Sequence, residues 1–154
     1  MILRLAKTDD GPVTLTFIRD DGSSTSRVIS AVFVSHEFMH YAVESVLGIE
    51  NGMLGLIARG REVEEFDAAA RNWLPLEAHH AEVIVGALEA EVFGSALPQH
   101  FQDNLEAICT DVAVPPPSDI SDDRLASVRQ EFKALREQWD SLPTGSIFEL
   151  PWRD

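Results

Sequence analysis

Apolar and polar positions alternate with period two in Val13-Thr14-Leu15-Thr16-Phe17, which predicts a strand with Val13, Leu15 and Phe17 on one buried face. Asp9-Asp10-Gly11-Pro12 and Asp20-Asp21-Gly22-Ser23 flank it and read as hairpin turns, in which aspartate supplies local hydrogen bonds and glycine a positive φ. The next strand, about Ser26 to Val34, is β-branched and becomes more uniformly apolar, so its last residues are expected to be covered on both faces. The first third is therefore an antiparallel meander of about three strands.

The period then changes to that of helices. One helix is expected between Ser35 as N-cap and Gly48 as the glycine that ends it. Gly52-Met53-Leu54-Gly55-Leu56 follows, an apolar stretch whose glycines predict close approach of backbone to a neighbour. Leu76 to Phe93 makes a second helix after Pro75, and Pro98 to about Cys109 a third, with Phe101, Leu105 and Ile108 on one stripe. Pro115-Pro116-Pro117 forces an extended connector.

From Ser121 as N-cap, Leu125, Val128, Phe132, Leu135, Trp139 and Leu142 recur at spacings of three and four. That stripe suits either the chain's own core or the seam of a homodimer through the 121–142 helix. Ser146-Ile147-Phe148-Glu149-Leu150 reads as a short C-terminal strand able to join the meander. The expected fold is one α+β domain over residues 1–154: the N-terminal meander packed with four to five helices.

Composition narrows the function classes. With 154 residues of which 45% are hydrophobic, the chain can bury a core as one domain. A formal net charge of -14 repels phosphate backbones and anionic lipid heads, which excludes nucleic acid and membrane surfaces as partners. The single cysteine, Cys109, allows no internal disulfide and fits a reducing, cytoplasmic compartment. The N-terminal residues are too often broken by charge for a signal peptide, and no run reaches the roughly 20 apolar residues of a membrane span.

The chemistry concentrates in His36-Glu37-Phe38-Met39-His40. Each helical residue turns about 100°, so His36 and His40 stand one turn apart on one face; Glu44 continues their stripe and Glu37 borders it. Two imidazoles so placed can converge on one divalent cation, zinc or another. Without a cation, the same pair can hydrogen-bond to Glu37, Glu44 and backbone carbonyls. For a third ligand there are two candidates, Glu44 and His80, of which His80 also reads as a core histidine satisfied by a carboxylate or carbonyl. His80 sits on an apolar face of the Leu76 to Phe93 helix, where Glu91 is near enough in phase to orient it.

The five residues resemble the H-E-x-x-H signature of zincin metallopeptidases. That resemblance implies His36 and His40 as zinc ligands and Glu37 as catalytic general base on a metal-bound water, in a hydrolase acting on a peptide or small-molecule substrate. Val43 and Val46 stand where a metzincin has glycine and histidine, which excludes that class. Gly60 to Asp67, with Glu62, Glu64 and Glu65, does not reproduce the second motif of the gluzincins. The wider pattern His36-Glu37-x-x-His40-x-x-Val43-Glu44, with Ala58-Arg59-Gly60 beyond it, is similar to a family of small uncharacterised bacterial proteins. There the second motif position is often aspartate, which favours metal ligation by His36, His40 and Glu44 over peptidase chemistry. A rival expectation is a non-catalytic interaction module that makes contact through Phe132, Leu135 and Trp139, flanked by Arg129, Lys133, Arg136 and Glu137.

Overall fold

A computed structural model of the chain describes residues 1–9, 11–66 and 73–152. Asp10 of the first expected turn, and Asp67 at the end of the glutamate-rich segment, lie outside the described residues. The architecture is α+β. Four antiparallel strands, β1 (Ile2–Ala6), β2 (Val13–Ile18), β3 (Ser24–Ile29) and β4 (Ile147–Pro151), form one sheet in the order β3-β2-β1-β4. Among the described residues five α-helices follow β3: α1 (Val34–Leu47), α2 (Met53–Ala58), α3 (Leu76–Val92), α4 (Phe101–Asp111) and α5 (Asp122–Ser141). Among the described residues no helix is long and apolar enough to cross a membrane.

The alternation in β2 works as expected, with Val13, Leu15 and Phe17 buried and paired across to Ile29, Arg27 and Thr25 of β3. β1 pairs β2 on one side and β4 on the other, so the C-terminal strand completes the sheet. The expectation that β3 runs to Val34 is corrected: it ends at Ile29. Its neighbour in the sheet, β2, begins at Val13, directly after Pro12, so beyond the Val13–Ile29 pair no strand among the described residues bonds to it. The chain turns instead through a 3-10 turn, Ala31–Phe33, and leaves Val32 and Phe33 exposed.

That turn also corrects the N-cap. Phe33 N–H donates to Ser30 O and Val34 N–H to Ala31 O, so the 3-10 turn runs straight into α1, whose first residue is Val34 and whose N-cap position is Phe33. Ser35 lies inside α1, and its hydroxyl meets the Arg136 guanidinium of α5. Gly48 ends α1 in the left-handed region at φ 66°, as the sequence predicts.

α1 lies between two apolar clusters, which is why it is buried nearly all round. Val34 and Phe38 face the sheet with α2 and the end of α5, whereas Met39, Ala42 and Val43 face α3, α4 and the start of α5. Phe38, Trp139 and Phe148 pack edge to face, with ring centroids 5.7 to 6.1 Å apart. The α5 stripe residues Leu125, Val128, Leu135 and Trp139 are buried within this chain. Lys7 caps the end of α5, its ammonium donating to Trp139 O at 2.6 Å and Leu142 O at 2.7 Å.

Candidate metal centre

α1 and α3 pack with opposite directions: His36, early in α1, meets Glu89, late in α3, and His40, one turn on, meets Glu82. Glu82 and Glu89 are seven residues apart, two helical turns, so both project from α3 toward α1. His36 Nδ1 lies 3.0 Å from Glu89 Oε1, and His40 Nδ1 lies 3.2 Å from Glu44 Oε1. An ionised carboxylate only accepts, so in these contacts Nδ1 carries a proton, and a ring in its neutral form is left with the lone pair of Nε2.

Glu44 is held as firmly as the ring it holds. Its Oε2 accepts the amide of Leu54 at 2.9 Å, which makes it the cap of α2, a helix whose own N-cap residue is Gly52. The glycine-rich stretch is thus a short helix whose backbone packs onto the Glu44 carboxylate. A Cβ on Gly52 would fall on that carboxylate, and one on Gly55 would fall on the Glu50 carbonyl. Steric room, more than a positive φ, requires these two glycines, since Gly52 has φ -74°.

The centre grades from closed to open. His40 is 1% exposed, while the side chains of His36 and Glu82 are each 29% exposed. Ligand atoms of His36, His40 and Glu82 all lie within 4.8 Å of one another, and this group can hold a metal ion. Ligand atoms around a tetrahedral zinc stand about 3.3 Å apart, given bonds of about 2.0–2.1 Å. His40 Nε2 and Glu82 Oε1, 3.7 Å apart, are nearly there already. His40 Nε2 is buried and has no hydrogen-bond partner among the described residues.

Burial alone would lower the pKa of His40, but the Glu44 hydrogen bond and the charges of Glu82, Glu44 and Glu37 outweigh it and raise it to about 9. Burial pushes the Glu44 carboxyl up, against the hydrogen bonds from His40 and from the amides of Leu54 and Gly55. With three carboxylates around one imidazole, a proton shared by the pair belongs to His40. Glu37 is 2% exposed; Arg27 of β3 donates to its Oε1 at 2.7 Å, and its Oε2 has no hydrogen-bond partner among the described residues.

The expected ligands thus separate. His36 and His40 come together. Glu44 sits behind His40, on the nitrogen away from Glu82. His80 is elsewhere, its Nε2 donating to Pro115 O at 2.9 Å, and Glu91 forms a two-bonded pair with Arg129 instead of reaching His80. Glu62 accepts from Arg19, and Glu65 from Arg61 and the Glu62 amide; neither belongs to the group. Glu82 and Glu89 were not singled out from the sequence. The available signal was two acids seven apart on a helix that is otherwise apolar around most of its circumference. No family model, curated protein or solved structure matches this chain.

Proposed function

We propose that this is a divalent-metal-binding protein in which His36 Nε2, His40 Nε2 and the Glu82 carboxylate hold the ion, while Glu89 and Glu44 fix the two rings from behind. The observation that carries the reading is the buried, unbonded His40 Nε2 beside a carboxylate and a second imidazole. A buried polar atom left without a partner is costly, and a cation bound there removes that cost. Backing of ligand imidazoles by carboxylates is what metal sites use to fix tautomer and orientation.

Two imidazoles and one carboxylate make a ligand set of catalytic zinc, with a fourth position left for water on the exposed side. Such an ion supplies an acidified water for hydrolysis. Glu37 is the residue suited to accept its proton: it is three residues from His40 on the same helix, Arg27 steadies one oxygen, and the other is unbonded. This resembles the zincin use of the same motif, with the third ligand coming from α3.

Protein purified without a histidine tag and dialysed against zinc should retain about one ion per chain. His40→Ala and Glu82→Ala should retain none, and Glu37→Gln should retain zinc but lose any hydrolysis the wild type performs. Absence of zinc from the wild type, by elemental analysis, overturns the reading. A second reading then stands on the raised pKa of His40: an imidazolium clasped between Glu44 and Glu82 that locks α1 to α3 without an ion.

A further inference from the structure

Away from the metal centre, a cleft of about 340 Å³ opens between the end of α1, the start of α3 and the connector before α5. Its size falls at the lower end of small-molecule sites. Leu47, Ile49, Ile84 and Ile120 give it an apolar floor continuous with the helical core. Its far wall is held in place from two sides. His80 donates to Pro115 O at 2.9 Å, and Arg124 donates to Val46 O at 2.8 Å.

The polar lining has a sign. Glu50, Glu77 and Asp119 line the cleft against one guanidinium, Arg124, which is already engaged at the end of α1. Glu77 accepts from the backbone and side-chain amides of Asn51 through one oxygen. The carboxylates of Glu50 and Asp119 make no hydrogen bond or ion pair among the described residues. An apolar floor with free carboxylates at its rim matches a ligand whose apolar body ends in a cationic donor, since each part then meets its complement. We infer that this cleft binds a small organic ammonium ion carrying an apolar body.

The probe is phenethylammonium, titrated calorimetrically into the full chain, with ethylammonium and neutral N-acetylphenethylamine as comparisons. Saturable one-to-one binding is expected, at least about tenfold tighter than either comparison, because each lacks one of the two matched parts. Asp119→Asn should weaken it about tenfold, and Ser118→Trp, which fills the cleft from the exposed connector, should remove it. Both positions are exposed, and circular dichroism confirms that the variants fold. Chelator-treated wild type should bind phenethylammonium as the zinc-dialysed protein does, which separates this site from the metal centre. The inference is overturned if phenethylammonium does not saturate at millimolar concentration, if ethylammonium binds equally well, or if folded Ser118→Trp binds unchanged.

Discussion

Glu44→Ala tests the centre at its least replaceable point. The carboxylate is 1% exposed and ties α1 to α2: it is on α1, accepts from His40 Nδ1 one turn back on the same helix, and caps α2 through the Leu54 amide. Truncation leaves a buried imidazole with one carboxylate contact fewer and a buried N–H with no acceptor. Breaking one side of a buried charge pair costs about 3–5 kcal/mol, with the orphaned amide included near the upper end. Against a total stability of about 5–15 kcal/mol that is a large fraction. Glutamine is an informative partner variant because both neighbours are donors. The amide has only one oxygen, so either His40 N–H or Leu54 N–H must face an NH2 group, at a cost of about 1–3 kcal/mol. Urea unfolding of chelator-treated protein gives the order wild type, glutamine, alanine. Zinc affinity, measured by competition with a chromophoric chelator, should fall about 10–100-fold in both variants, because the ring is no longer fixed from behind. An alanine variant within about 1 kcal/mol of wild type, with unchanged zinc affinity, refutes both the clasp and its role in orienting a ligand.

In chelator-treated protein, stability should decline as pH rises from 6.5 through about 9, the folded-state pKa of His40. The sign follows from a folded pKa raised above the unfolded one: the protonated ring stabilises the fold fully below 6.5, and that contribution is lost as the ring deprotonates in the native state. Its full size is about 3 kcal/mol, and urea midpoints that stay level from pH 6.5 to 9.5 would contradict it. Gly52→Ala should cost about 1–3 kcal/mol, the usual range for forcing a methyl into filled space, and should also weaken zinc binding because the atoms it displaces are those of the Glu44 carboxylate. A Gly52→Ala protein that binds zinc as the wild type does would show that Glu44 need not be fixed.

Where period and turn chemistry acted alone, the chain was legible: β2, the glycine that ends α1, Ser121 accepting the Arg124 amide at the start of α5, and the returning β4 all stand where the residues put them. Long-range partners were not. β3 stops early because of where β2 begins, a fact that no local pattern in Ser26 to Val34 contains. Ser35 has the right side chain for a cap, but the preceding 3-10 turn starts α1 at Val34, one residue before it.

Glu82, the third member of the group around the two histidines, escaped the sequence for the same kind of reason. A helix with one apolar face displays its orientation, and α3 has more than one: Ala81, Val85 and Leu88 are buried as well as Val83, Ile84 and Ala87. Reading the face that carries His80 as the inward one sends the search to the wrong stripe. Two covered faces make the phase of α3 ambiguous, and only the packing against α1 resolves it, bringing Glu82 and Glu89 opposite His40 and His36. Within α1 no such ambiguity exists, because i and i+4 share a face whatever the helix packs on. The pair of histidines could therefore be read from spacing alone. The carboxylates that turn a pair into a centre depend on the register of one helix against another, and a shift of one residue in α3 would rotate both acids away by about 100°. The candidate centre is thus specified jointly, by a local motif in α1 and by the core residues that set how α3 lies beside it.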